Sequence, residues 1–290
     1  MLREPWLNVV LFVACCVTTY LVAGVYFAAT LMGILACHEA GHYVVGKRHG
    51  VDVSLPLFIP MPPGVSLGTL GAVIRMKDPI HDRATLFDVG ASGPIAGLVV
   101  AIPLLVVGLH LSPIGPIEPD TSIEGNSILY ALIKYAVFGR WLPGDGVDVQ
   151  LHPMALAAWV GLLVTAINLM PIGQLDGGHI ARAALGDRHE RWSARLNIAL
   201  PAIGLVVGTI MTVAALRAGK DLGDALWYAK DGVIPWAIWA LLLGAMRQRA
   251  GEYHPPVGEA PLDGRRRVGA ILMLVIFVLI VTPVPFRSPL

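Results

Sequence analysis

The chain alternates long apolar runs with short polar segments, and the length of those runs decides its solvent. An apolar run of about 18 residues or more reads as a membrane span, because about 20 helical residues cross a hydrocarbon core of about 30 Å. Taken in order, the runs predict spans at 6–24, 27–48, 86–111, 152–181, 194–217, 233–249 and 268–286. The expected fold class is an all-α polytopic membrane protein of six to seven transmembrane helices with a short membrane-dipping β-hairpin. The first two spans are hard to separate, since Leu7 to Cys37 is almost unbroken apolar sequence. One helix of that length overshoots the core, and a tight turn near Ala23-Gly24 resolves this. A single long tilted helix is the alternative.

Two segments between spans stand out. Residues 54–76 carry Pro56, Pro60, Pro62 and Pro63 and then the Gly-interrupted stretch Val65 to Ile74. This is too broken for a spanning helix and too apolar for a water loop. Its alternating pattern predicts a hairpin dipping into the membrane, tolerable where protein covers its backbone. Residues 112–151 predict an outside loop with one short helix near 127–139. The whole chain, 1–290, is expected to form one membrane-embedded domain, with a core over about 27–185 and accessory C-terminal spans over about 194–286.

Composition agrees with a lipid solvent. Hydrophobic residues make up 56% of the chain and charged residues 14%, against about 25% charged in soluble domains. Mean hydropathy is +0.69. The net charge of +1 suggests no nucleic-acid partner. With seven spans and the N-terminus inside, fifteen of the 21 Lys and Arg fall in inside loops, Arg3, Arg75 and Lys77 among them, and six outside, Lys134 among them. That is the asymmetry of the positive-inside rule. The three cysteines lie in the first apolar stretch and predict no disulfide framework. The start of the chain reads as a first span rather than a cleavable targeting peptide.

The candidate chemistry begins with His38-Glu39-Ala40-Gly41-His42. Histidines at i and i+4 share a helix face and can bind one zinc ion. The intervening Glu39 is then placed to act as general acid/base, taking a proton from water and passing it to a leaving amine. Ionisable residues inside a span are costly, so they mark function by default. A proton relay or an interhelical hydrogen-bond cluster is the alternative. A zinc site needs a third protein ligand. The best donor is Asp176, in Asn168-Leu169-Met170-Pro171-Ile172-Gly173-Gln174-Leu175-Asp176-Gly177-Gly178, near the inside end of the fourth predicted span. A span-terminal Asp in an ordinary Gly-rich turn is the alternative there. His179 reads as a solvated or hydrogen-bonded histidine, and His81, His110, His152, His189 and His254 lack ligand spacing.

These two motifs, in this order, resemble the site-2 protease family of intramembrane zinc metalloproteases, over residues 30 to 185. Gly68 to Ile74 and Phe87 to Gly97 are similar to that family's dipping hairpin and to the Gly-Pro start of one of its spans. His152-Pro153 resembles the branch without PDZ or CBS domains, similar to chloroplast and prokaryotic members. The resemblance implies His38, His42 and Asp176 as ligands of one Zn2+ per chain, and Glu39 as the catalytic acid/base. It suggests Asn168 as a substrate or oxyanion contact, with a helix–helix hydrogen bond as the alternative.

The function expected is zinc-dependent intramembrane proteolysis of single-span membrane proteins or signal peptides. The chain is expected in a prokaryotic inner membrane, with its N-terminus and active site facing the cytoplasm. A transporter using the same His, Glu and Asp residues as a proton or metal path is the rival reading. A di-iron oxidase would need more clustered histidines, and a proteolytically dead regulator sits poorly with an intact Glu39.

Overall fold

The computed structural model describes residues 5–64, 66–74, 76, 80–118 and 121–289. Arg3, Arg75 and Lys77 of the charge pattern, and Val65 of the hairpin, lie outside the described residues. The described residues form a mostly helical protein, and four helices are long and apolar enough to cross a membrane.

The first helix, α1 (Pro5–Arg48), holds 44 residues, which as a straight rod would be about 66 Å long. It is not straight. Ala23 (φ −150°, ψ 27°) and Gly24 (φ 77°, ψ −172°) leave the helical region, at the turn expected from the sequence. Gly24 takes a positive φ that a β-carbon disfavours. The Asn8 side chain donates to the carbonyls of Leu55 (3.2 Å) and Pro56 (2.7 Å). The seven residues from Arg48 to Leu55 reach at most about 25 Å. Both ends of α1 must therefore lie on one side, with two arms folded back on each other.

Strands β1 (Leu57–Pro60) and β2 (Thr69–Val73) form the expected antiparallel hairpin, pairing Leu57 with Val73 and Phe58 with Ala72. It lies on the first arm. Thr18 Oγ1 donates to the Gly68 carbonyl at 2.6 Å, and a β-carbon on Gly68 would overlap the Thr19 backbone. This apolar hairpin is thus covered by helix on one side.

Helix α2 (Arg83–His110) is N-capped by Asp82, whose Oδ1 accepts from Thr85 N at 2.7 Å. It runs antiparallel to the second arm of α1, since Gly41 meets Ser92 while His38, lower in number, meets Gly97. These two segments and α4 (Pro153–Asn168) enclose the main core, with Leu31, Leu105 and Trp159 fully buried.

The 112–151 loop contains the expected short helix, α3 (Ile128–Phe138). It also holds β3 (Ile114–Pro116) paired with β5 (Val147–Val149), and β4 (Ile123–Glu124) paired with β6 (Phe286–Arg287) near the far end of the chain.

The span expected over 152–181 is corrected. Helix α4 stops after 16 residues at Asn168, and a separate helix, α5 (Asp176–Leu185), follows a turn around Pro171 and Gly173. Apolar residues continue through the break, so a hydropathy count bridges it, but Pro171 cannot continue the ladder. Helices α6 (Arg188–Arg217) and α7 (Leu222–Ala250) form a tight antiparallel pair across Gly204, Gly208 and Gly232. The last helix, α8 (Gly264–Ile280), has 17 residues and ends short of the predicted 286. Ile198, Leu205, Ile210, Ile234 and Leu241 are all exposed on the outer faces of α6 and α7. An apolar face of that extent suits hydrocarbon rather than water.

Candidate metal centre

The sequence 38–42 lies in the last turns of α1, so its helical phase is fixed before any ligand is considered. His38 and His42 project from one face, 4.9 Å apart between ring centroids. That face packs on α2, which thins itself to receive them. A β-carbon on Gly93 would overlap the His42 ring, and one on Gly97 would sit 3.3 Å from His38 Nδ1. Both histidines and Glu39 are about 95% buried.

Asp176 arrives from the other side as the first residue of α5. Its Oδ2 lies 3.1 Å from His38 Nε2 and its Oδ1 lies 3.2 Å from His42 Nε2. The two Nε2 atoms are 3.1 Å apart. The turn that delivers Asp176 depends on two glycines. A β-carbon on Gly177 would overlap the Leu169 carbonyl, and one on Gly178 would overlap the Gly173 carbonyl. With Gly173 itself at φ 64°, the chain reverses tightly enough to start α5 at the depth of the histidines.

These contacts test whether the residues fit a metal. His38, His42 and Asp176 each offer one ligand atom, and the three atoms lie within 4.8 Å of one another. His42 Nδ1 is 2.8 Å from the Val89 carbonyl, which can only accept. The proton is therefore on Nδ1, and the Nε2 lone pair faces the cluster. A ligating histidine ordinarily has its second nitrogen held in this way. Two imidazole nitrogens and a carboxylate are a zinc-type donor set, with three protein ligands as in open catalytic sites. Glu39 adds a buried carboxylate one residue from His38 that makes no hydrogen bond among the described residues.

Asn168, by contrast, is the last residue of α4. It is half-buried and makes no hydrogen bond to the other four residues. The structure joins His38, His42 and Asp176, and no hydrogen bond among the described residues ties Asn168 to them.

Sequence reasoning matched the glycines of α2 only as part of a family-like segment, without their contact to the histidines, and missed a second histidine group that starts three residues beyond Asp176 on α5. His179 Nδ1 is 2.7 Å from His254 Nε2, and the His254 ring lies edge-on 5.8 Å from that of His189. Ser193 Oγ is 3.0 Å from His189 Nε2 and accepts from Gly173 N at 3.4 Å, which ties α6 to the Asp176 turn. The Gly90, Gly93 and Gly97 spacing was a readable signal for one helix face. His254 had none, being 75 residues from its partner.

The chain matches the model of Peptidase family M50 over residues 26–215. It is 31% identical over 270 residues to the probable zinc metalloprotease EGY1, chloroplastic, of Arabidopsis thaliana, covering 89% of this chain and 43% of that protein. The EGY1 protein of Oryza sativa subsp. japonica is 30% identical over 266 residues, covering 89% and 40%. The probable zinc metalloprotease EGY2, chloroplastic, of Arabidopsis thaliana is 29% identical over 257 residues, covering 87% and 40%. The chain spans about two-fifths of the length of these curated relatives. No solved structure matches it. The matched residues 26–215 include both halves of the centre, His38 and His42 as well as Asp176, and the chain belongs to peptidase family M50, the family of the site-2 proteases.

Proposed function

We propose that the chain is a zinc-dependent intramembrane endopeptidase. The observation that carries this reading is the meeting of His38, His42 and Asp176, 138 residues apart in sequence, around one point with the buried Glu39 beside them. His38, His42 and Asp176 would hold one zinc ion. When bound, zinc acidifies water and polarises a peptide carbonyl. Glu39 takes the proton from the attacking water and returns it to the leaving amine. Asn168, at the end of α4, contacts the substrate or its developing oxyanion.

The substrate class proposed is a single-span membrane protein or a signal peptide. Its helix must open locally, because helical hydrogen bonds shield the carbonyls. An opened segment is held by strand addition to the edge of the β1–β2 hairpin. The whole chain acts as one membrane-embedded domain with six to seven crossings, counting both arms of α1. The active site faces the side that carries Arg48, the cytoplasm of a prokaryotic cell by the positive-inside pattern. The relatives named above are chloroplastic, and a chloroplast membrane is the alternative setting for the same topology.

The test is cleavage of a single-span reporter by the purified chain in detergent or liposomes. Wild type is expected to cleave with zinc and to stop on chelation. Glu39→Gln is expected to keep its zinc and lose turnover by about 10²–10⁴-fold. A folded, zinc-loaded Glu39→Gln protein that still cleaves would end this reading. Zinc transport by the wild type without cleavage would favour the transporter.

A further inference from the structure

The strap joining α7 to α8, residues 251–263, reaches α5 through His254 and lies outside the family-matched residues 26–215. It is tied at several points. Tyr253 N donates to Glu190 Oε2 at 2.8 Å, Gly258 N donates to the His81 carbonyl at 2.8 Å, and Arg83 Nε donates to the Gly258 carbonyl at 3.0 Å. Pro255 and Pro256 stiffen it. Its one imidazole, His254, is 5% exposed and reaches His179.

The protons in this pair can be placed by elimination. His254 Nδ1 is 2.8 Å from the Pro255 carbonyl, which only accepts, so His254 carries a proton on Nδ1. Burial pushes the His254 imidazole below its ordinary range, which favours the neutral ring. In a neutral ring His254 Nε2 is then an acceptor. The 2.7 Å contact requires His179 Nδ1 to donate, which leaves His179 Nε2 as a lone pair. That nitrogen has no hydrogen-bond partner among the described residues, and His179 is partly exposed. His179 stands three residues after Asp176 on α5, with its β-carbon against Gly90 of α2. Residues at i and i+3 share a helix face.

We propose that His254 is a positioning residue for the centre. It locks His179 in the Nδ1–H tautomer, so that an imidazole acceptor, Nε2, stands beside Asp176 for a water or a substrate N–H. The tautomer rests on the two hydrogen-bond contacts of a buried, neutral His254; the catalytic consequence rests on the protease reading above. Without His254, the His179 proton is free to move to Nε2, presenting a donor where an acceptor is needed.

The experiment follows the His179 tautomer by 15N NMR of the histidine-labelled full chain in micelles, zinc-free and zinc-loaded, with zinc content and reporter kinetics measured in parallel. Wild type is expected to show His179 protonated on Nδ1. His254→Ala is expected to show Nε2–H or a mixture, with zinc content and KM unchanged and kcat lowered about tenfold. His254→Gln, whose amide oxygen can accept the same hydrogen bond, is expected to restore both tautomer and kcat. His254→Phe fills the space without an acceptor and replaces His254→Ala should that variant not fold. A wild-type His179 protonated on Nε2, or a tautomer and kcat indifferent to His254→Ala, overturns the proposal. A wild type that holds the tautomer and binds zinc but never cleaves supports the positioning and overturns the protease reading instead.

Discussion

Gly93 of α2 lies so close to the imidazole of His42 that no β-carbon fits between them. The same helix supplies the Val89 carbonyl that fixes the His42 tautomer, four residues earlier and one turn away. Helix α2 is therefore the wall that orients this imidazole.

Gly93→Ala should displace the His42 ring, because the overlap is with a ligand held by a second hydrogen bond rather than with a flexible chain end. The expected result is a loss of zinc affinity of at least about tenfold, the usual scale for disturbing a ligand's supporting contacts. Gly97→Ala should cost less, since its β-carbon would stand 3.3 Å from His38 Nδ1 and a small tilt relieves it. Competition with a graded series of chelators measures both. Equal zinc affinity in Gly93→Ala and wild type would show that α2 does not constrain His42.

The turn before Asp176 makes a second prediction. Gly177→Ala and Gly178→Ala each drive a β-carbon into a backbone carbonyl, of Leu169 and of Gly173, which cannot swing aside as a side chain can. Either should cost about 1–3 kcal/mol as an overpacked site and shift Asp176 away from the histidines. Gly64→Ala is the control. It has open space around it, and any penalty there comes from its φ of 88° alone. Thermal unfolding in detergent separates the stability loss, and zinc content reads the position of Asp176.

How much of this was legible follows from which interactions are local. The Ala23–Gly24 reversal was, because an apolar run of that length must fold back and glycine marks the place. The pairing of His38 and His42 was, because one helix fixes it. The break between Asn168 and Asp176 was only half legible. Pro171 flagged it, but apolar residues on both sides kept the hydropathy of a single span. Lys134 was read only as one cation of the 112–151 loop, and a charge count does not register that it is fully buried there. The His179–His254 contact could not be read at all, since two scattered histidines acquire meaning only when the strap brings them together.

Acid sensitivity should come from the caps on the Arg48 side. Burial works to raise the Asp82 carboxyl, but hydrogen bonds from the Thr85 backbone and hydroxyl prevail and hold it below its ordinary range. Backbone and side-chain hydrogen bonds from Arg266 hold Asp263 down as well. A carboxyl whose folded pKa is depressed contributes stability above its unfolded value, about 3.9, and loses it as pH falls through the folded value. The unfolding midpoint should therefore be insensitive to these groups above about pH 5 and fall as the medium is taken below about pH 4. Asp82→Asn keeps a capping oxygen without the titration, so its acid-side decline should be shallower. A decline as steep as that of wild type would remove Asp82 from the account.

Lys134 carries the remaining prediction, at the end of the fold away from the metal. Its Nζ lies 3.3 Å from Asp148 Oδ1, 3.6 Å from Glu124 Oε1 and 4.7 Å from the centre of the Tyr130 ring, all in the interior of the loop region. Tyr130 OH donates to the same Glu124 oxygen at 2.9 Å, and Asp148 Oδ2 has no partner. One buried cation thus serves two buried carboxylates. Lys134→Met leaves both uncompensated and should destabilise the protein by about 3–5 kcal/mol, the scale for breaking a buried ion pair from one side. Adding Asp148→Asn and Glu124→Gln to Lys134→Met removes the charges left behind and should recover much of that loss. Zinc content should stay at one per chain in the folded fraction of each variant, because Lys134 and the metal centre lie at opposite ends of the α1–α2 packing. Unfolding in detergent that is no easier for Lys134→Met than for wild type would mean that water, not Lys134, neutralises the two carboxylates.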